Sequence, residues 1–167
     1  MVRKLISRVF GFEREIEELK SRLHRAGYDE SFGMLTRQGL ENAIERLPRG
    51  DYQVVFIDLD DMHGLNAQIG YEAVNKRVRG TFNPDWNLRK SDIIGRWFSG
   101  DEIILVLSTD HDGAQMVAES FLDEAHNNGL GFTYSISSWY SDMDTIDNIV
   151  ADLSRQVISQ KENKRSA

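Results

Sequence analysis

Two runs of strand-forming residues, separated by a short polar turn, constrain the fold of this 167-residue chain more than any other part of its sequence. The runs span residues 93–97 and 103–107, and the turn between them contains Gly100. β-Branched and aromatic residues on both sides of such a turn predict a β-hairpin. The turn ends in Asp101 and Glu102, so two adjacent carboxylates lie at the hairpin tip. Taken alone, this pair is explained most simply as a solvated turn.

Apolar patterns on both sides of the hairpin predict the remaining elements. A continuous apolar run within residues 52–59 predicts a central strand that is buried on both faces, and alternation at 132–136 predicts the last strand. Helical periodicity predicts helices over residues 36–47, 65–82, 112–128 and around 149–157. From residue 52 the order is strand, helix, strand, strand, helix, strand. We therefore predict an α+β fold, a ferredoxin-like or palm βαββαβ sheet with flanking helices.

This topology brings a second acidic cluster to the hairpin tip. Asp58 and Asp60 lie at the end of the first strand. In the usual strand order of the fold (fourth, first, third, second), the first strand lies antiparallel beside the third, whose amino end carries Asp101 and Glu102. Carboxylates that converge without His or Cys suit a hard cation such as Mg²⁺, which can activate a hydroxyl and clamp a phosphate. The residues alone thus predict metal-assisted phosphoryl or nucleotidyl transfer.

Composition limits the other possibilities. Because the chain contains no Cys, it has neither a disulfide framework nor a thiolate metal site. A net charge of −7 argues against general affinity for nucleic acid, and an anionic nucleotide at an acidic site requires divalent cations. No apolar run reaches the roughly 20 residues of a membrane span, and the N-terminus lacks a secretory signal. We expect a cytoplasmic protein that binds neither nucleic acid nor membrane.

The N-terminal segment carries a heptad repeat. The e and g charges are complementary across a parallel pair. The a and d positions are apolar: Val2, Leu5, Val9, Phe12, Ile16, Leu19, Leu23 and Ala26. We predict a parallel coiled-coil dimer over residues 1–27 and a globular domain over residues 28–167. Because Gly11 weakens the helix and the seam is short, two alternatives stay open: a helix that packs on its own domain, or one that binds a partner.

The region from residue 29 to residue 165 resembles the GGDEF family, the palm-fold diguanylate cyclases. Residues 99–103, Ser-Gly-Asp-Glu-Ile, stand at the signature hairpin of the family. Residues 58–66 are similar to its strand end, Asp-x-Asp followed six residues later by Asn, and residues 29–37 resemble a divergent form of its N-terminal motif, Asp-x-Leu-Thr-Gly-Leu-x-Asn-Arg. Residues 134–137 are similar to its fourth strand.

The resemblance implies a reaction. In the family, two GTP molecules are joined into cyclic di-GMP and pyrophosphate when each ribose 3′-hydroxyl attacks the α-phosphate of the other nucleotide. The two half-sites face each other across a two-fold axis. The resemblance therefore implies an enzyme, a nucleotidyltransferase of the diguanylate cyclase type, with Mg²⁺ or alternatively Mn²⁺ as cofactor. It would work as a homodimer, for which a parallel coiled coil raises the effective concentration of the second half-site.

The resemblance also implies roles for individual residues. The Asp58 carboxylate, the Leu59 carbonyl and Asp101 would bind metal, while Glu102 would hold a second metal ion and help to activate the 3′-hydroxyl. Asp101 and Glu102 would thus be the catalytic residues. The substrate-binding residues would be Met62 and His63 through their backbone amides, Asn66 and Asn75 at the guanine, Gly100 in the signature turn, and Lys161 and Arg165 at the terminal phosphates.

Two pairs of residues that match family motifs also have simpler explanations. Lys161 and Arg165 lie four residues apart and so share one helical face, but basic residues in the last turns also complement the helix dipole. Arg89 and Asp92 resemble the Arg-x-x-Asp motif at which the family binds its product as an inhibitor. The same two residues are also explained as a surface ion pair of little energetic weight.

Departures from the family pattern leave the function open. Asn75 replaces the Asp that reads the guanine, so the charge-assisted hydrogen bonds are lost. His63 stands where the family often has Lys, Ser99 replaces the first Gly, and Phe98 looks like a one-residue insertion. Two other functions therefore remain: a catalytically silent receptor for GTP or cyclic di-GMP, and a palm-fold cyclase with another cyclic di- or oligonucleotide as product.

Overall fold

The computed structural model describes residues 18, 19, 21, 26–83, 88–98 and 100–166, of which residues 165 and 166 are described as backbone only. The predicted coiled coil at 1–27 therefore lies almost entirely outside the described residues. The same holds for Ser99 and for the side chain of Arg165.

The described chain forms one mixed sheet with helices on both faces. Its strands are β1 (Tyr28–Asp29), β2 (Met34–Leu35), β3 (Asp51–Leu59), β4 (Ile93–Arg96), β5 (Glu102–Leu107) and β6 (Phe132–Tyr140). Its helices are α1 (Arg37–Ile44), α2 (Met62–Ile69), α3 (Tyr71–Thr81), α4 (His111–Asn127) and α5 (Ile146–Ser166). None of the described helices combines the length and apolar character needed to cross a bilayer.

The sheet order is β1-β2-β4-β5-β3-β6, in which β2 and β4 are parallel and all other neighbours are antiparallel. Its last four strands have the predicted order, so the α+β palm prediction is confirmed. The β1–β2 hairpin was not predicted, because strands of two residues carry no periodicity. It extends the sheet at β4, where Leu35 pairs with Gly95.

The central strand β3 explains the two-layered core. Successive side chains of a strand point to opposite faces. Val55 and Ile57 accordingly pack beneath α3 and α4, while Val54 and Phe56 pack beneath α1 and α5. All four side chains are at most 1% exposed, as the continuous apolar run predicts. The two helical layers fix both faces of β3 and therefore the position of its acidic end.

Some predicted boundaries were wrong. The helix expected over residues 65–82 is two helices, α2 and α3, which meet at Gly70 with φ 84° and ψ 155°. Helix α1 ends at Ile44 rather than residue 47. Strand β6 continues to Tyr140, four residues beyond the predicted end, because Trp139 packs against Tyr52 with ring centroids 5.7 Å apart. The serines at 135, 137 and 138 hid this continuation from the apolar pattern.

Candidate functional site

The carboxyl end of β3 meets the amino end of β5, and this contact brings two acidic side chains together. Asp58 pairs with Glu102 across the strands, and the Leu59 N–H donates to the Asp101 carbonyl at 2.9 Å. Because Leu59 and Asp101 share the ladder hydrogen bond, Asp58 and Glu102 form a close, non-hydrogen-bonded pair on one face. That face is the one covered by α1 and α5, since Phe56 and Ile104 precede and follow on it.

Glu102 occupies an environment that disfavours its charge. The side chain is partly buried, and the resulting loss of hydration raises the pKa of Glu102. The negative charges of Asp58 and Asp101 raise this pKa further. A hydrogen bond from the Phe98 backbone and the positive charge of Lys161 oppose this rise only in part. The carboxylate of Glu102 is therefore a stronger base than an ordinary glutamate, as a proton acceptor in catalysis requires.

Lys161 reaches the acidic cluster from α5. Its Nζ lies 2.9 Å from Oδ1 of Asp58 and 2.9 Å from Oδ1 of Asp60, and it donates to the Leu59 carbonyl at 3.4 Å. Burial is the largest single influence and lowers the pKa of Lys161. The hydrogen bonds and charges of Asp58 and Asp60 together outweigh burial, so the net pKa is raised. Lys161 is thus a firmly protonated cation in the midst of the predicted metal ligands.

The donor set at this edge suits a hard divalent cation. Asp58 and the Leu59 carbonyl already hold one positive charge, and carboxylate and carbonyl oxygens are the ligands that Mg²⁺ prefers. Among the described side chains, no three of the acidic and histidine type stand close enough together to hold a metal ion by themselves. A metal here would therefore draw on the backbone carbonyl as well as carboxylates. The residues fit the ion, and their role as ligands stays a prediction.

The amino end of α2 offers backbone donors beside the cluster. Asp61 caps the helix in a left-handed conformation with φ 47°, and its side chain accepts from the Gly64 N–H at 3.2 Å. Met62 and His63 form the first turn, where backbone N–H groups have no intrahelical acceptor and attract anions. Met62 is buried and His63 is exposed. The position is consistent with phosphate binding through amides, with His63 pointing to the solvent side.

The two predicted base-reading residues lie on successive helices. Oδ1 of Asn66 on α2 is buried and has no hydrogen-bond partner among the described residues, an arrangement that costs free energy unless a ligand supplies a donor. Asn75 on α3 is half-buried and lines a groove of about 560 Å³ together with Ser31, Tyr71 and Arg79. Asn66 is not among the residues that line this groove.

Arg89 and Asp92 join the approach to β4 to the end of β5. The Asp92 carboxylate accepts from the Arg89 N–H at 2.9 Å and from the Ser108 N–H at 3.2 Å. The Arg89 guanidinium donates to the Ser108 carbonyl at 3.2 Å and is exposed. Asp92 therefore has a structural role as the cap of this turn, while Arg89 remains accessible. Whether the pair also binds a product remains a prediction.

The sequence patterns missed a half-buried ion pair beside the signature turn. Arg96 at the end of β4 binds Asp29, with 20% and 17% of the side chains exposed, and its guanidinium lies 4.2 Å from the centroid of the Phe32 ring. Asp29 also accepts from the N–H groups of Ser31 and Phe32, at 2.9 and 3.2 Å. The contact ties the β1–β2 hairpin to the strand that leads to Gly100 and Asp101. An Asp that precedes a turn was the available signal.

The patterns also missed Lys164 on α5. Its Nζ donates to Oγ1 of Thr133 at 3.3 Å, and Thr133 in turn donates to Oδ1 of Asp60 at 3.4 Å. A second lysine thus stands behind Lys161 without touching a carboxylate. The motif match pointed to Arg165 instead, whose side chain lies outside the described residues.

The extra residue before the signature stays outside the core. Phe98 is 53% exposed, and its ring meets Trp97 edge-on with centroids 6.1 Å apart. The Arg37 guanidinium lies 4.5 Å from the Trp97 ring centroid and 5.1 Å from that of Phe98. Gly100 follows in the turn and is half-buried. The insertion therefore adds a surface aromatic next to the site and leaves the β4–β5 pairing in place.

Comparison with known proteins assigns the fold. The sequence matches no family model and no curated protein. Solved structures do match. The coiled coil and GGDEF domain of DgcB from Caulobacter crescentus, in complex with c-di-GMP, superposes with a TM-score of 0.80 at 12% identity. That match covers 96% of this chain and 93% of the chain in that structure.

Two further matches come from other bacteria. Diguanylate cyclase SiaD from Pseudomonas aeruginosa, in complex with its activator SiaC, has a TM-score of 0.69 at 20% identity, over 97% of this chain and 68% of the matched chain. The S helix-GGDEF-EAL structure of Vibrio cholerae LapD, bound to c-di-GMP, has a TM-score of 0.69 at 19% identity, over 92% of this chain and 38% of the matched chain.

Fold and site together define a palm-like α+β domain with an acidic sheet edge. More particularly, the chain has the GGDEF fold, and the resemblance drawn from its motifs is confirmed at the level of fold. Identities of 12–20% show the fold alone, so activity and ligands are a matter for proposal.

Proposed function

We propose that this chain is a diguanylate cyclase that condenses two GTP molecules into cyclic di-GMP and pyrophosphate. The observation that carries the proposal is the close pair of Asp58 and Glu102 at one sheet edge that already accommodates a cation, with Asp101 next to Glu102 in the exposed turn. These are the acidic residues that the reaction needs. They lie on neighbouring strands whose register is fixed by the core, so the site is preorganised.

Asp58, the Leu59 carbonyl and Asp101 would hold one metal ion, and Glu102 would help to hold a second. When bound, Mg²⁺ or Mn²⁺ would supply charge neutralisation between these carboxylates and the triphosphate. Glu102 would accept the proton of the ribose 3′-hydroxyl, since its carboxylate lies beside Asp58 at the edge where the metal would bind.

Other residues would bind and orient the nucleotide. The first-turn amides of α2 would bind phosphate, and Lys161 and Arg165 would bind the terminal phosphates. Oδ1 of Asn66 would accept from a donor of the base, which would satisfy its unpaired buried oxygen. Two chains would present their half-sites to each other across a two-fold axis.

The decisive experiment is product analysis. The full chain is incubated with GTP, with ATP, or with both, in the presence of Mg²⁺ or Mn²⁺, and the products are resolved by mass. The proposal predicts cyclic di-GMP from GTP alone. The absence of any cyclic product in every combination would contradict it.

Two other functions have specific support. Asn75 stands at the predicted base-reading position, and an amide can both donate and accept hydrogen bonds where a carboxylate only accepts. A mixed or adenine-containing cyclic product in the same assay would favour this altered specificity. The departures at Asn75, His63 and Phe98 support a receptor instead, and Arg89 is exposed to a ligand. Calorimetry that shows tight cyclic di-GMP binding, lost in Arg89→Ala, without turnover would establish that function.

A further inference from the structure

The ammonium group of Lys161 lies among the oxygens that a bound metal would use. Its Nζ is within 2.9 Å of one carboxylate oxygen each of Asp58 and Asp60 and 3.4 Å from the Leu59 carbonyl. The side chain is only 19% exposed, and that of Asp58 24%, so this contact is not a loose surface ion pair. Two carboxylates and a carbonyl around one positive nitrogen are the surroundings that a hard cation takes.

We propose that Lys161 is an internal counter-cation of this site, which neutralises Asp58 and Asp60 and must leave before a divalent cation can bind there. The proposal rests on the proposed function in one respect, since it takes Asp58 and Leu59 as metal ligands. It does not depend on turnover, because the exchange would occur equally in a receptor. The reason for the exchange is that an ammonium and a divalent cation held by the same two carboxylates would be close neighbours and would repel each other.

The position of Lys161 allows such an exchange. The side chain projects from the penultimate turn of α5 on a flexible four-carbon stem, so the ammonium can move away without a change in the backbone. Without the ammonium, Asp58, Asp60 and Glu102 would concentrate negative charge at one sheet edge, which is unfavourable unless another cation replaces it. Lysine therefore stabilises the free domain and competes with metal at the same time.

A triphosphate changes this competition. Phosphate oxygens would offer the displaced ammonium a new acceptor, so nucleotide and metal would favour each other's binding. By linkage the effect is reciprocal. In the free protein, the apparent affinity for metal alone is reduced by the fraction of molecules whose Lys161 has left the carboxylates. The site would thus remain largely closed to metal until nucleotide arrives.

Lys164 provides a matched control on the same helix. It carries the same charge, lies three residues further on, and contacts Thr133 rather than a carboxylate. Lys164→Gln therefore changes the net charge near the site as much as Lys161→Gln does. Any difference between the two variants reports the direct contact of Lys161 with Asp58 and Asp60.

The test measures Mn²⁺ binding to the full chain without nucleotide, by the loss of the free-ion electron paramagnetic resonance signal. If about a tenth of wild-type molecules have Lys161 displaced, Lys161→Gln should bind Mn²⁺ about tenfold more tightly. Lys164→Gln should differ from wild type by less than about twofold, because exposed charges are screened. The gain in melting temperature on adding Mn²⁺ should be larger in Lys161→Gln than in wild type.

Equal Mn²⁺ affinity in wild type and Lys161→Gln would overturn the proposal, as would an equal gain in Lys164→Gln or no binding in any variant. If Lys161→Gln does not fold, the comparison is repeated in the Asp60→Asn background, with and without Lys161→Gln. That background has one carboxylate fewer, so the loss of the lysine leaves less uncompensated charge. Tighter Mn²⁺ binding by Lys161→Gln without any cyclic product from wild type would refute the cyclase and retain the counter-cation. Cyclic product from wild type, together with equal Mn²⁺ binding by wild type and Lys161→Gln, would support the cyclase and refute the counter-cation.

Discussion

The ion pair of Asp29 and Arg96 shows how much one residue contributes when its charge is half-buried. Asp29 accepts two backbone hydrogen bonds in addition to the guanidinium, and Arg96 also stacks on Phe32. A charge that loses its partner in such a place remains poorly solvated. The exposed pair of Asp152 and Arg155, with 61% and 72% of the side chains exposed, lacks this cost.

We expect Arg96→Met to lower the free energy of unfolding by about 2 kcal/mol, since it leaves the Asp29 charge without its partner. Arg155→Met should lower it by less than about 0.5 kcal/mol because the pair is at the surface. Urea denaturation of both variants measures the two values. Similar losses in both would show that the half-buried pair contributes no more than an exposed one.

Glu102 should lower the stability of the metal-free protein although the proposed activity requires it. The raised pKa of Glu102 means that its ionisation is disfavoured in the folded state. The free energy of unfolding is therefore greatest when Glu102 is protonated, and it falls as the pH rises through the folded pKa. In a chelator at neutral pH, Glu102→Gln should therefore melt at or above the wild-type temperature. This advantage should disappear near pH 3, well below the usual glutamate pKa of about 4.3, where Glu102 is protonated in both the folded and the unfolded state.

The same substitution should abolish the proposed activity, because glutamine cannot accept a proton, with a loss of at least about 10²-fold in turnover. Glu45→Gln is the control: it replaces the same carboxylate by an amide at an exposed residue that caps the end of α1, away from the site. It should alter neither the melting temperature nor the activity. A Glu102→Gln variant that melts clearly below wild type at neutral pH would contradict this account.

At the scale of elements, the break between α2 and α3 is set by Gly70. Its backbone, φ 84° and ψ 155°, lies in a region that side-chain-bearing residues avoid, although a Cβ there would meet no atom within 4 Å. Gly80 lies within α3, where a Cβ would come no nearer than 3.8 Å, to the Asn128 side chain. A Cβ would therefore fit without a steric clash at either glycine, and the two positions differ only in backbone conformation.

Alanine should separate these two effects. We expect Gly70→Ala to lower the free energy of unfolding by about 2 kcal/mol through backbone strain. Gly80→Ala should raise it by about 0.5 kcal/mol, since alanine favours the helix and restricts the unfolded chain. Thermal or urea unfolding of both variants provides the measurement. Stabilisation by Gly70→Ala would mean that α2 and α3 can join without the special turn.

The elements also show what sequence can reveal here. The apolar run of β3, the residues around the hairpin and the alternation at residues 132–136 predicted the four main strands, and the known order of that fold placed Asp58 opposite Glu102. Periodicity could not reveal the break at Gly70, because the apolar positions continue in phase across it. Nor could it reveal side-chain contacts such as that of Lys161 with Asp60, which depend on where α5 crosses the sheet.

At the scale of the whole molecule, the proposed reaction requires two chains, because each GTP must be attacked by the other. Leu19 is a predicted heptad position and is 56% exposed on the described chain. An apolar residue in that position is expected to face a second helix. If a coiled coil holds the two domains together, it sets the effective concentration of one half-site at the other.

Leu19→Asp should therefore weaken dimerisation and lower cyclic di-GMP formation per chain, while the melting temperature of the globular domain stays the same. At about 1 µM chain the loss should reach about tenfold or more, because a millimolar effective concentration is replaced by the bulk one, and it should shrink as the protein concentration rises. Sedimentation and product assays over a concentration series measure both effects. Met143→Asp, at a residue 84% exposed outside the heptads, is the control and should change neither. A Leu19→Asp variant that remains dimeric, or a monomer that is equally active when dilute, would remove the coiled coil from the mechanism.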